Sequence, residues 1–329
     1  MLDLLKPYLR PIKMARLRRR ARRLAASPMP QHALTGPPPG FIVGCGRSGT
    51  TILGKILQRH PEICYLFEPY HYWGVVDPRT DVNNLHHRVD PFMIMGAELV
   101  DEAIRERFHR VIMGERPRAG KSVLIEKTPH NACRIGYIRA LAPTARFAHI
   151  VRDGVEVAQS IDRLASTSAY TIAGRPNMNQ WWGENEIKWT TLLRDGVAAG
   201  HFPAEAPALR THAQRGAYEW LVTMREIDRH RDKLGPPPEG DLHEFRYADL
   251  LGDTDNTLRS LASFFGASAP DTWLDESRAM IGEPSAYKAR TIELPPEMAA
   301  AFNEYHERYG LAGRAEPVAM PPITQSVPA

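Results

Sequence analysis

Apolar positions along this chain fall into two alternating rhythms. Short apolar runs that read as buried strands stand at 41–43, 122–125, 147–151 and 242–247. Between and after them, apolar residues recur at helical spacing: Ile52, Leu53, Ile56 and Leu57 follow the first run. The stretches 132–141, 155–164, 217–234 and 256–265 repeat that pattern, with Trp220, Met224 and Ile227 on one side of the longest. Strand and helix in alternation predict an α/β fold with three layers: a central, mainly parallel sheet, helices on both faces, and insertions over the cleft. The 256–265 helix is expected to close the domain at 37–316, with a flexible tail at 317–329. Two stretches break the rhythm. Residues 64–124 read as a long connection with a helix near 97–108, and 168–215 as a lid or substrate lobe carrying a helix near 185–196. No internal repeat or coiled-coil heptad is present.

Chemistry collects at the ends of the apolar runs. The first feeds Gly44-Cys45-Gly46-Arg47-Ser48-Gly49-Thr50-Thr51 and then a helix. Glycines let such a turn curl so that backbone N–H groups point inward, and the helix start adds its positive dipole end, which makes an anion nest. The spacing Gly44-x4-Gly49 is that of a P-loop-type phosphate site, but Thr50 stands where the ATP-binding version has Lys, and the cation is Arg47. The second run delivers Glu126-Lys127-Thr128-Pro129-His130-Asn131; the third delivers Arg152-Asp153-Gly154, with Ser160 two helical turns on. Ligands of open α/β sheets bind outside the carboxyl ends of the strands. Arg47, Lys127 and the pair Arg152/Ser160 therefore suggest a ligand with phosphates at two points, Arg being suited to a bidentate clamp. The plainer reading of Arg152 is a surface pair with Asp153.

Aromatic residues beside the phosphate loop, Tyr70, His71, Tyr72 and Trp73, suggest the wall of a substrate cleft, whereas Trp181, Trp182 and Trp189 read as packing. Segment 281–288 reads as a late loop, with Ser285 and Lys288 its candidate ligand contacts. His201, His212, His230 and His243 follow no metal-ligand spacing, and no metal is expected. Cys45, Cys64 and Cys133 are odd in number and widely spaced, which suits a reducing, cytoplasmic compartment. Net charge is +4, yet residues 1–26 hold nine Lys or Arg and one acid, leaving the remainder slightly acidic. That balance speaks against a nucleic-acid binder. The basic extension, 1–36, reads as a helix interrupted near Pro11. It either packs on the body or, through Leu2, Leu4, Leu5, Leu9 and the arginines, touches anionic lipid at the inner face of a membrane. Nothing in the sequence separates a monomer from a homodimer.

These motifs resemble the sulfotransferases that use 3′-phosphoadenosine 5′-phosphosulfate (PAPS). In that family an RSGTT loop holds the 5′-phosphosulfate, matched here by Arg47 to Thr51, and an Arg-Asp with a Ser eight residues after the Arg holds the 3′-phosphate, matched by Arg152 and Ser160. The HPEICYLFEP stretch is similar to the carbohydrate branch, and EKTPHN, PTARFAHIVRDG and the 247–251 run to bacterial members. Related tyrosylprotein enzymes place a catalytic Glu twenty-one residues past the loop Arg, which is Glu68 here. The resemblance implies sulfuryl transfer from PAPS to an acceptor hydroxyl, leaving 3′,5′-adenosine bisphosphate and needing no metal. It gives Glu68 as base, with Arg47 stabilising the departing phosphate and Lys127 assisting. Ser48, Gly49, Thr50 and Thr51 would share the cofactor with Arg152, Ser160, Ser285 and Lys288. Leu66, Phe67 and Pro69 surround Glu68 with apolar side chains, a setting that favours a basic carboxylate; His71 and His130 are rival bases. The acceptor reads as a carbohydrate or glycolipid, with a small secondary metabolite as the alternative. An ATP-dependent kinase-like enzyme and a non-catalytic nucleotide-binding relative are the rival classes.

Overall fold

The computed structural model describes residues 2–86, 89–167, 178–282 and 290–319. Its centre is a five-stranded sheet built from β1 (Gly40–Val43), β2 (Ile63–Phe67), β3 (Val123–Lys127), β4 (Arg146–Val151) and β5 (Leu242–Arg246). The strand order is β2-β3-β1-β4-β5, and all four pairings are parallel. β2, read from sequence as the start of a connection, is a true edge strand. Its ICYLF run is as apolar as the others, and pairing with β3 (Phe67 opposite Lys127) settles it as a strand.

Side chains alternate across the sheet, as a pleated strand requires. Phe41, Val43, Leu124 and Phe147 pack on one face with Tyr137, Ile138 and Leu141. Ile42, Ile125, Ala148 and Ile150 pack on the other with Leu53, Ile56, Leu57 and Leu258. Each fully buried large aliphatic of this kind contributes roughly 1.5–3 kcal/mol. The helices that matter for the site are α1 (Leu2–Ala26), α2 (Thr50–Gln58), α3 (Tyr70–Val76), α4 (Gly154–Ser166), α5 (Ile187–Ala198) and α6 (His212–Leu234).

Two expectations are corrected. α1 runs unbroken through Pro7 and Pro11. A proline deletes one amide donor and crowds a carbonyl, which bends a helix but need not end one whose neighbours are Leu, Lys, Arg and Met. The second half of α1 is docked: Ala21 is fully buried, and Arg20 pairs with Glu115 at 2.9 Å and donates to the Tyr72 hydroxyl. Nor does the helix Thr254–Phe264 close the fold. The helix Asp271–Met280, the parallel pair Thr291–Leu294 and Arg314–Pro317, and the helix Pro296–Tyr309 follow it. Phe302 and Tyr305 of that last helix pack tilted and edge-on against Trp220 of α6. The expected tail thus starts as a strand, and its residues 320–329 lie outside the described residues. So do residues 168–177 of the expected lid; after them come a hairpin (Met178–Asn179 with Gly183–Glu184) and α5. No described helix is long and apolar enough to cross a membrane.

Candidate active site

Every strand of the sheet places a site residue at its carboxyl end. β1 runs into the glycine-rich loop, β2 ends before Glu68, β3 ends with Lys127, β4 is followed by Arg152 and β5 by Tyr247. The loop turns sharply: Gly44 has φ 141°, Arg47 φ 74° and Gly49, the N-cap of α2, φ 91°. At Gly49 the turn leaves no room for a side chain, because a Cβ would sit 2.2 Å from the Tyr247 ring. Ser48 is buried, and its Oγ has no hydrogen-bond partner among the described residues. The Ser48 amide itself donates to the Cys45 carbonyl at 3.2 Å, so the loop is closed by its own turn and the buried hydroxyl at the helix start is the unsatisfied polar group. Thr50 and Thr51 open α2 and line the adjoining cavity with Gly46 and Arg47.

Arg47 is exposed and reaches across to α4, where its Nε donates to Ser160 Oγ at 3.0 Å. Arg152 Nη1 donates to the Arg47 carbonyl at 3.0 Å, its Nε to Glu156 at 2.8 Å, and its guanidinium lies 4.6 Å from the Tyr247 ring centre. Asp153 does not pair with Arg152. It caps α4, accepting from the amides of Val155 and Glu156, and accepts from Gly313. The two expected phosphate clusters are therefore one continuous patch, joined through Arg47.

Glu68 is held by the last rung of the β2–β3 ladder. Its N–H donates to the Lys127 carbonyl at 2.8 Å, and its own carbonyl accepts from the Tyr70 amide at 2.7 Å. This places the carboxylate against Lys127, Nζ to Oε1 being 2.5 Å, with Lys127 fully buried and Glu68 still 27% exposed. Burial lowers the Lys127 pKa; the nearby Glu68 carboxylate opposes that. The apolar setting expected for Glu68 is thus corrected. Phe67 points outward at 50% exposure, and the carboxylate faces an ammonium. The carboxyl that is truly enclosed is its neighbour in β3. Glu126 accepts from Trp73 Nε1 at 2.9 Å, Asn131 Nδ2 at 2.8 Å and the Thr128 hydroxyl at 2.5 Å, yet burial lifts its pKa to about 7.

A cavity of about 380 Å³ opens from the loop and is lined by Arg47, Glu68, Tyr70, His130, Gln180, Trp181 and Lys188, among others. Burial, with the Glu68 carboxylate nearby, raises the Tyr70 phenol pKa well above the usual value. His130 is buried, its Nε2 has no partner among the described residues, and burial with nearby Lys188 holds its pKa well below 6.5. The other three aromatic-stretch candidates are corrected, since none lines the cavity. Trp73 is core, bonded to Glu126; Tyr72 bonds Arg20 of α1; His71 stacks on Tyr72 and His86, and burial lowers its pKa to about 4. On a helix as short as α3, one residue of advance turns a side chain by about 100°. Tyr72 is thereby turned toward α1, whereas Trp73, one turn on and back on the side of Tyr70, is held in the core by its bond to Glu126. Ser285 and Lys288 lie outside the described residues.

A model of the sulfotransferase family matches residues 38–203, half of the chain, from the glycine-rich loop through Glu68, Lys127, Arg152 and Ser160. The chain belongs to the sulfotransferase family. It is 23% identical over 325 residues to an omega-hydroxy-beta-dihydromenaquinone-9 sulfotransferase of Mycobacterium bovis, covering 83% of this chain and 75% of that protein. It is also 30% identical over 220 residues to the nodulation protein NoeE of Sinorhizobium fredii, covering 61% and 50% of the respective chains. A sulfotransferase structure from Mycobacterium avium superposes with a TM-score of 0.50 at 12% identity, over 95% of this chain and 86% of that one, and so shares the fold. The protein is a PAPS-dependent sulfotransferase, which sets aside the ATP-dependent and non-catalytic readings.

Two residues of this sulfotransferase's cavity carry no signal in the sequence. Trp181 reads there as packing, and Trp182 and Trp189 do pack, but Trp181 lines the cavity. Lys188 lies fully buried in the cavity wall, bonded to Glu219 of α6. Neither belongs to a motif; only the folding of the hairpin and α5 over the loop brings them in.

Proposed function

We propose that the enzyme sulfates a carbohydrate or glycolipid hydroxyl by in-line attack, with Glu68 as general base. The observation that carries this reading is Glu68 lining the same cavity as Arg47, Thr50 and Thr51, with the buried Lys127 ammonium 2.5 Å behind its carboxylate. PAPS, when bound, supplies a sulfuryl group activated by its phosphate leaving group. The backbone amides of Gly49 to Thr51, the orphaned Ser48 hydroxyl and the two threonine hydroxyls would hold the 5′-phosphate. Arg152 and Ser160 would take the 3′-phosphate. Glu68 accepts the proton of the acceptor hydroxyl as its oxygen bonds to sulfur, while Lys127 fixes the carboxylate in place. Arg47 would neutralise the charge that develops on the 5′-phosphate as it leaves, a preorganised electrostatic role.

The acceptor assignment is supported by the cavity's mixture of aromatic rings (Phe67, Tyr70, Trp181) and polar side chains (Asn83, Gln180, His130), which suits a polyhydroxylated ring. A lipid-borne acceptor is supported by two further features. One relative is named for a menaquinone-derived substrate. On α1, Lys13, Arg16, Arg19, Arg22 and Arg23 are exposed and have no ion-pair partner among the described residues, which favours peripheral contact with an anionic membrane. The three cysteines are buried and free, in keeping with a reducing cytoplasm.

The test is Glu68→Gln beside His71→Asn. Glu68→Gln should lower kcat by about 10²–10⁴-fold and leave calorimetric affinity for 3′,5′-adenosine bisphosphate unchanged, while His71→Asn keeps near-wild-type turnover. Retained turnover in Glu68→Gln would remove Glu68 from the base role.

A further inference from the structure

Trp181 stands where the cavity meets the phosphate loop, and it is gripped from three directions. Its indole N–H donates to Glu219 Oε2 at 2.9 Å. Lys188 Nζ lies 3.8 Å from the ring centre and bonds the same carboxylate at 2.7 and 2.9 Å. The far edge of the ring rests on the loop, where a Cβ at Gly46 would be 2.4 Å from Trp181 Cη2. Lys188 and Glu219 are both almost completely buried. A buried ion pair adds little net stability, and apolar groups of similar volume often replace it without loss. What such a pair does supply is direction: a carboxylate fixed by an ammonium accepts the indole N–H along one line only. The next residue of α6, Trp220, donates its own N–H to the Arg152 carbonyl at 3.0 Å. One helix thus holds the acceptor side of the site through Glu219 and the nucleotide side through Trp220.

We infer that Lys188 and Glu219 are positioning residues that act through Trp181, fixing the indole as the partition between phosphate loop and acceptor and so setting how the acceptor reaches Glu68. The inference rests on the cavity being the acceptor site. It assigns no chemical step to either residue. Trp181 determines acceptor fit, and the ion pair behind it determines Trp181.

The experiment compares Trp181→Phe, Lys188→Met/Glu219→Leu and Lys188→Met/Glu219→Gln, the last keeping an amide oxygen for the indole N–H. The acceptor is the best of a panel of methyl glycosides, and 3′,5′-adenosine bisphosphate is the cofactor-site probe. Trp181→Phe and the Met/Leu pair should raise acceptor KM about tenfold or more, with kcat and bisphosphate affinity within about threefold of wild type. The Met/Gln pair should recover most of the KM. Unchanged KM in Trp181→Phe overturns the inference even if both double variants fail to fold; so does a parallel loss of bisphosphate affinity. A separate arm needs no acceptor. Bisphosphate titration should change tryptophan emission in wild type and not in Trp181→Phe, and the absence of that difference refutes the contact between ring and loop. Failure of the acceptor assignment itself would show differently, as no transfer by the wild-type enzyme to any glycoside.

Discussion

Arg47 and Glu68 both carry left-handed backbone, with φ of 74° and 41°. For residues other than glycine such conformations cost on the order of 1–3 kcal/mol and persist where surrounding bonds over-determine them. The bonds are visible here: Lys127 and Tyr70 fix the backbone on either side of Glu68, and Arg152 holds the Arg47 carbonyl. Directly behind them, Glu126 makes a prediction about pH. Its carboxyl is raised from the ordinary 4.5 to about 7, chiefly by burial. Between those two values the folded protein keeps a proton that the unfolded chain has lost. This contribution to stability is therefore complete below about pH 4.5 and lost as pH rises through 7. Its size is on the order of 3 kcal/mol. Chemical denaturation at pH 5 and pH 8 should show a smaller pH-dependent drop in Glu126→Gln than in wild type, by roughly 2–3 kcal/mol. Equal drops in both proteins would mean that Glu126 ionises normally.

At the scale of elements, the phosphate loop is shaped from outside as much as by its own glycines. Trp181 presses on Gly46 and Tyr247 on Gly49, rings from two segments far along the chain. Gly49 also starts α2 with φ 91°, so a side chain there meets both a backbone penalty and a ring. Gly49→Ala should cost about 1–3 kcal/mol of stability. It should also weaken bisphosphate binding by at least about tenfold, since the amides of the helix start can no longer converge. Thermal melts and calorimetry on the same sample separate the two losses. Wild-type affinity in a destabilised variant would show that the loop binds its ligand without this turn.

On the whole molecule, charge is divided rather than balanced. A chain of net charge +4 concentrates its excess of positive charge on one helix, and docking that helix through Ala21 and Arg20 leaves Arg16, Arg19 and Arg23 exposed at helical spacing. α1 packs against α3, whose first residue, Tyr70, lines the cavity. A cationic face one short helix away from the site suits an acceptor presented at a lipid surface. Cosedimentation should find the enzyme on phosphatidylglycerol vesicles at low salt and in the supernatant with neutral phosphatidylcholine. Arg16→Glu/Arg19→Glu/Arg23→Glu should lose at least about tenfold in vesicle affinity while keeping bisphosphate binding. Equal partition of wild type and variant would leave α1 a packing element alone.

The sequence by itself determined the strand–loop–helix at Phe41 to Gln58, the Arg152/Ser160 spacing on β4 and α4, and the distance from Arg47 to Glu68, because each depends on residues close in the chain. Local sterics and hydrogen-bond geometry decide such features, and they leave their mark as spacing. Tertiary structure alone decided the rest. Glu68 meets Lys127 across 59 residues, and Arg47 meets Ser160 across 113, so the actual environment of each candidate differs from what its neighbours suggest. Close to Tyr70, Tyr72 is turned by the helix toward Arg20 of α1, and Trp73 is drawn into the core by the distant Glu126 carboxylate. Trp181 and Lys188 enter the site because α6 carries a carboxylate that gathers both, and no periodicity in the chain records which distant side chain a buried charge will choose.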